Sequence, residues 1–334
     1  MNAALSSPRI WAYLQLMRPA NIVTAWADIL AGFAVLISVS PDLLISSSSS
    51  NLMPLAWLLL ATTGLYGGGI IFNDVFDAEI DAIERPERPI PSGRASRMGA
   101  SILGSLLLSA GILAASQVSW LSATLAFGIA AAAILYDAYS KHDPIFGPIN
   151  MGVCRGGNLL LGVSAVSPMV SNYWFLALIP VVYIAAITTL SRGEVHGGKS
   201  STGIITLVLI STVIAALLSL GLLKNYHLLG VLPFVVLLTA RVLLPFIKAV
   251  SQPTPENIRT AVRAGVLSLI VLDATVAAGF ASLPYGLLVL ILLPISMALS
   301  QIFAVTITTT GSMTIVPLIL PEQLIFIVSL AMIL

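Results

Sequence analysis

Apolar runs of about 20 residues recur along the whole chain with only short polar breaks between them, the length a helix needs to cross a hydrocarbon core. They lie near 20–39, 53–76, 98–116, 119–138, 147–166, 173–191, 203–223, 227–250, 260–282, 285–308 and 313–334. Composition excludes a soluble domain: of 334 residues 58% are hydrophobic and 9% charged, and the mean hydropathy is +1.02. The expectation is an all-α, polytopic transmembrane bundle of about nine to eleven spans.

The net charge of +1 says nothing about partners, whereas the position of the charges sets orientation, because Lys and Arg concentrate in cytoplasmic loops. Arg9 and Arg18 precede the first run, Arg85, Arg88, Arg94 and Arg97 follow the second, and Lys141 follows the fourth. Arg192 and Lys199 follow the sixth run, and Arg241, Lys248, Arg259 and Arg263 flank the junction after the eighth. Thirteen of the fifteen basic residues therefore share one face, which is expected to be cytoplasmic. Lys224 lies on the other face and Arg155 within a run. The single Cys154 permits no disulfide within one chain, and three scattered histidines argue against a zinc site. No cleavable leader is expected, since the first 19 residues hold two arginines, two prolines and no uninterrupted apolar core. The serine-rich stretch 46–51 is expected to be a solvated linker, and no second domain or nucleic-acid partner is expected.

Polar chemistry crowds into one stretch, NDVFDAEIDAIERPERPIPSG, residues 73–93. At 100° per residue, Asn73, Asp74, Asp77 and Asp81 fall within about a 100° arc of a helix, over roughly 12 Å of its axis. That length is too great for one metal ion and suits an extended anion held through two hard cations, because Mg²⁺ takes carboxylate and amide oxygens. Prolines then break the helix and deliver Arg85 and Arg88, which can bind phosphate oxygens directly. Acids at a membrane helix end are often only solvated flank, but four on one face call for more.

NDVFDAEID followed by ERPIPSG resembles the first aspartate-rich motif of the UbiA family of intramembrane prenyltransferases. The resemblance implies a UbiA-type helical fold, Mg²⁺ and a prenyl diphosphate as ligands, and Asn73, Asp74, Asp77 and Asp81 as cation ligands, with Asp77 and Asp81 central to catalysis and Arg88 on the diphosphate. YDAYSKHD, residues 136–143, is similar to the family's Y-S-x-K element; by itself it is an ordinary interfacial flank. The resemblance implies that Lys141 contacts diphosphate and that Tyr139 or Tyr136 faces the allylic group, where a ring stabilises positive charge.

Arg155 sits among glycines in GPINMGVCRGGNLLLG, and two roles fit it: an ion pair with Asp137 or Asp28, or a substrate contact. After the sixth run the family pattern frays. Where relatives carry a second acidic motif, this chain has SRGEVHGGKSST, in which only Glu194 is acidic. The motif's frame implies that Arg192 and Lys199 meet the phosphate and that Glu194 is the remaining ligand of a second cation. This loop, with residues 147–162 and ENIRTAVRAGVLSLIVLDA, looks most like the EboC branch of UbiA-like proteins.

The resulting expectation is Mg²⁺-dependent transfer of a prenyl group to a lipophilic or aromatic acceptor, by a lipid-embedded multi-pass protein whose site loops are cytoplasmic. The alternative is a non-enzymatic carrier or export component, to which buried Asp28, Asp137 and Arg155 would offer a solute path. The resemblance covers about residues 8–306; residues 1–306 are expected to form one membrane domain, and 307–334 an apolar tail with a possible extra span.

Overall fold

The computed structural model describes residues 9–39 and 52–303, and every secondary-structure element among them is helical. α1 (Arg9–Met17) leads into α2 (Pro19–Val39). α3 (Met53–Phe76) continues through one turn into the short α4 (Ala78–Glu84). α5 (Arg97–Ser116) and α6 (Trp120–Leu135) follow, and α6 ends in a π-helical turn, Tyr136–Ser140, ahead of α7 (Phe146–Val163). α8 (Ser167–Tyr173) precedes α9 (Leu178–Ser191), α10 (Ser200–Ser219) and α11 (Leu228–Ser251). α12 (Pro255–Leu267), α13 (Leu269–Phe280), α14 (Leu283–Leu290) and α15 (Leu292–Ile302) complete the described chain.

Nine helical stretches among the described residues are long and apolar enough to cross a membrane. α7 joins them as a helix of 18 residues made less apolar by its asparagines, arginine and glycines. The first ten expected runs thus each contain a helix, while the run 313–334, the tail 307–334 and the linker 46–51 lie outside the described residues. The sequence reading did not include α1. Its Ala12 and Leu16 are buried with Ile71 and Val75 of α3, which holds this helix beside the polar end of the bundle.

Burial separates an inner set of helices from an outer one. Every residue of α13 is buried, and α2 is buried over most of its length. The outer helices turn apolar side chains outward, among them Leu106 and Leu113 of α5, Phe127 of α6 and Ile204 and Val208 of α10, the surface a lipid-embedded bundle presents. Close approach of the inner helices depends on missing side chains. A Cβ on Gly32 of α2 would run into the Leu159 carbonyl oxygen of α7, and one on Gly162 of α7 would run into that of Ile29 on α2. In hydrocarbon, where no hydrophobic effect pulls helices together, such small-residue contacts are a main source of cohesion.

Arg18, between α1 and α2, has a φ of +45°, the only positive value for a non-glycine among the described residues. Such a backbone costs energy and persists where its surroundings hold it. Here the guanidinium is held by Asp74.

Gly162→Leu forces α2 and α7 apart and is expected to lower stability by more than about 3 kcal/mol. Gly128→Ala, at a position with open space around its Cβ, should stay within about 1 kcal/mol of the parent. Thermal unfolding of the two variants in detergent checks the contrast.

Candidate active site

Two helix ends run side by side where the acid row begins. The π turn closes with the Lys141 amide donating to the Tyr136 carbonyl at 3.0 Å, a widened turn of the kind often found at functional sites. It presents Asp137 and Lys141, four residues apart, to Asn73 and Asp77, also four apart. Asn73 donates to Asp137 at 2.8 Å, and Lys141 is ion-paired with Asp77. This matched pair of rungs ties the loop after α6 to the end of α3.

The acid row itself divides into two stripes. Backbone bonds from Asp77 to Asn73 and from Asp81 to Asp77 keep the helical phase across the break at Asp77. On that phase Asn73 and Asp77 lie within about 40° of each other, and Asp81 and Asp74 about 40–60° further round. The first stripe meets the π turn. The second is buried and meets Arg88, whose guanidinium reaches Asp81 at 2.6 Å and Asp74 at 3.3 Å. Arg18 adds a 2.6 Å contact to Asp74, and Arg85 lies 3.7 Å from Asp81. Each of the three aspartates therefore has a cationic partner. Among the described residues no three His, Cys, Asp or Glu side chains converge on one point. Hard oxygen donors suited to Mg²⁺ are nevertheless present in Asn73, Asp74, Asp77 and Asp81. Asp74 Oδ2 is buried without a hydrogen-bond donor, so it retains acceptor capacity for a cation.

Glu194, Arg192 and Lys199, expected to serve the same ligand from the loop after the sixth run, are only partly gathered around this row. Glu194 is linked to it through charge: burial raises its carboxyl above the usual range while Arg85 and Arg259 pull it down. Arg85 thus interacts electrostatically with both Asp81 and Glu194. Arg192 donates to the carbonyls of His142 and Asp143 at 2.6 and 2.8 Å, bracing the loop after α6. Lys199 and Arg192 line a separate cavity of about 530 Å³ with His196 and Pro253.

Beneath the acid row lies a cavity of about 260 Å³, with Arg18, Asn73 and Asp137 at its polar end and Leu65, Ile129, Ala133 and Met151 as apolar wall. Tyr66 and Tyr136 line it. Tyr139 is 80% exposed and is absent from this lining, because the turn that directs Tyr136 inward leaves a residue three positions on facing out. Arg155 is also set back. It is buried, 3.0 Å from Asp28, bonded to Thr24 at 2.7 Å, and stacked 4.9 Å from the centre of the Tyr66 ring. Of the two partners considered for it, Asp28 is the one present; Asp137 goes to Asn73.

The sequence model of the UbiA prenyltransferase family matches residues 31–263. The chain belongs to the UbiA prenyltransferase family. Among its relatives, the digeranylgeranylglyceryl phosphate synthase of Methanothrix thermoacetophila is 38% identical over 179 residues, 54% of this chain and 61% of that protein. The synthase of the same name from Methanosarcina mazei is 29% identical over 198 residues, 57% and 65% of the two chains. The chain thus spans less than two thirds of the length of these curated relatives, and they do not single out the EboC branch. UbiA-type folds also stand out among solved structures. A digeranylgeranylglyceryl phosphate synthase superposes with a TM-score of 0.60 at 19% identity, covering 81% of this chain and 98% of that one. A UbiA homolog from Archaeoglobus fulgidus bound to DMAPP and Mg²⁺ gives 0.53 at 14%, covering 87% and 99%. At these identities the likeness is one of fold.

Three polar residues that line the cavity of this UbiA protein, Arg18, Asn21 and Tyr66, escaped the motif reading, as did buried Asp273 of α13. Arg18 carried a signal, an Arg-Pro pair opening an apolar run, and Tyr66 and Asp273 are isolated polar residues within such runs. Arg88→Gln strips buried Asp74 and Asp81 of their shared partner and is expected to cost about 3 kcal/mol. Arg97→Gln breaks only the exposed 3.4 Å pair with Glu79 and should cost less than about 1 kcal/mol. Thermal unfolding of both variants without divalent cation measures the difference.

Proposed function

We propose that this protein transfers a prenyl group from a prenyl diphosphate to a lipophilic acceptor within the membrane, with Mg²⁺ as the cation. The observation that carries the reading is the row Asp74, Asp77 and Asp81, each paired with a side-chain cation beside a cavity whose deeper wall is apolar. Carboxylates and cations held in this way can exchange partners. Asn73, Asp74, Asp77 and Asp81 would hold Mg²⁺, which neutralises charge developing on a leaving diphosphate. Arg18, Arg85, Arg88 and Lys141, released from the acids, turn to phosphate oxygens as charge-assisted donors.

The prenyl chain occupies the apolar cavity between Leu65, Ile129, Ala133 and Met151. Cleavage of the C1–O bond leaves both electrons on the diphosphate, and the allylic carbon then bonds to the acceptor's nucleophilic atom, which gives up its proton. Tyr66 and Tyr136 face that carbon and offer π density to positive charge. Asp77, Asp81 and Lys141 are the groups we assign to catalysis. The exposure of Tyr139 favours Tyr136 in the aromatic role. Glu194 is assigned to a second, weaker cation position, with Arg192 and Lys199 supplying positive charge nearby.

The relatives' name supports a glyceryl phosphate lipid as the class of acceptor and gives no support to an aromatic one. The DMAPP and Mg²⁺ bound by the Archaeoglobus homolog agree with the donor and cation. The RGEVHGG loop supports a placement near the EboC branch within the family, and the clustering of basic residues supports cytoplasmic site loops. We assign residues 1–306 to the one membrane domain. The carrier reading drew on a solute path through Asp28, Asp137 and Arg155. The first and last of these form a buried pair closed by Thr24 and Asn158, which supports an anchoring role instead.

Incubating the purified protein with Mg²⁺, a series of prenyl diphosphates and glyceryl phosphate lipids should yield prenylated product by mass spectrometry. Asp77→Ala and Asp81→Ala should abolish it together with Mg²⁺-dependent diphosphate binding. Glu194→Gln should raise the Mg²⁺ requirement while activity persists, since an amide oxygen still coordinates but brings no charge. No product from any pair of substrates, with folded protein, would overturn the reading.

A further inference from the structure

Asp273 is a carboxylate of the bundle interior that the proposed chemistry leaves unused. It lies in the middle of α13, is fully buried, and neither of its oxygens meets an N–H or O–H donor. Its neighbour is Asp28 of α2, also fully buried, which it approaches within hydrogen-bonding reach. Asp28 Oδ2 is ion-paired with Arg155 Nε at 3.0 Å and accepts a hydrogen bond from Asn158 at 2.8 Å, whereas Asp28 Oδ1 has no donor. Three carboxylate oxygens in the bundle interior are thus turned away from every side-chain and backbone donor.

Counting charge decides what completes the arrangement. The charged and titratable groups that interact here are Asp28 from α2, Arg155 from α7, Tyr66 from α3, Tyr183 from α9 and Asp273 from α13, and Asn158 of α7 is bonded to Asp28. Two carboxylates against one guanidinium leave a net negative charge in hydrocarbon, which costs several kcal/mol or more by general estimates. Like charges at this separation do not both persist, and two carboxyl groups this close share one proton. A proton on Asp273 donates to Asp28 Oδ1, satisfies the orphaned oxygens and makes the cluster neutral.

We propose that Asp28 and Asp273 share a single proton at membrane depth, and that this acid pair fixes Arg155 beneath Tyr66, so that Asp273 is a positioning residue for the floor of the prenyl cavity. The chain of contact is short. The pair neutralises and orients the guanidinium, the guanidinium stacks on the Tyr66 ring, and Tyr66 lines the cavity. A neutral cluster keeps that floor compatible with an isoprenoid tail, whereas an uncompensated guanidinium there would favour water. The last step rests on the proposed prenyl-diphosphate reading; the shared proton does not.

The test uses the full-length protein in detergent. Infrared difference spectra should show the C=O stretch of one protonated, non-exchanging carboxyl group, lost in Asp273→Asn. Because asparagine presents Asp28 with the same donor as the protonated acid, Asp273→Asn should keep the parent melting temperature and bind a non-hydrolysable geranylgeranyl thiolodiphosphate within about twofold of it. The double variant Asp28→Asn with Asp273→Asn leaves Arg155 without a carboxylate. It should melt at least about 5 °C lower and lose about tenfold affinity for the prenyl analogue, with affinity for inorganic pyrophosphate unchanged. A carboxyl band that survives Asp273→Asn, or a single variant as unstable as the double, overturns the shared proton. Equal losses for pyrophosphate and prenyl analogue in the double variant overturn the positioning role. Failure of the unmodified protein to bind either ligand overturns the prenyl-diphosphate reading and with it the role in the cavity floor, while the infrared and melting results still judge the proton.

Discussion

An ionised group inside a bilayer must bring its counter-charge with it, and this requirement organises the polar half of the molecule. Asp74 and Asp81 are nearly inaccessible, and each is met by a guanidinium at 2.6 Å. Arg18 is reached only because the chain accepts a left-handed residue between α1 and α2. Arg88 is delivered by a loop whose tight return uses Gly93 at a φ of +75°, a conformation glycine adopts without strain. The strained joint, the glycine turn and the short α4 all serve one electrostatic end.

The same requirement separates the neutral from the exchangeable. At the mouth of the bundle the acids stand on α3 and α4, while their basic partners Arg18, Arg88 and Lys141 come from segments outside those helices. Deeper in, the pairing is closed by amide and hydroxyl side chains from α3 and α7: Thr62 donates to Asn158, which donates in turn to Asp28 and the Ala25 carbonyl. Nothing in that lower cluster has a loop's freedom. One fold thereby holds an adaptable layer over a rigid one.

The helices were legible because each apolar run has the length of a span, and the acid row because four residues recur at helical spacing before a proline-rich break. Legibility failed where spacing alone does not determine direction. The 100° arc of Asn73 to Asp74 gave no sign that it would divide into two stripes, since that depends on which neighbours approach from α6 and from the Arg88 loop. Tyr136 and Tyr139 could not be ranked, because the widened turn between Tyr136 and Ser140 shifts the phase that ordinary helical counting assumes. Glu194 and Lys199 belong to the same loop in sequence, yet Glu194 feels the charge of Arg85 while Lys199 lines a separate cavity with Pro253. Arg18 and Asp273 went unread because a single charged residue in or beside an apolar run has no pattern to belong to.

The two glycines at the crossing of α2 and α7 give the bundle a mechanical property as well as cohesion. Each fits against the other helix's backbone, so the crossing acts as a detent: axial sliding by even one residue rise, about 1.5 Å, drives carbonyl oxygens into backbone. α2 carries Arg18 at one end, and α7 begins just beyond the loop that bears Lys141. With the two rods indexed in this way, the spacing between Arg18 and the loop that bears Lys141 is gauged from a crossing inside the bundle.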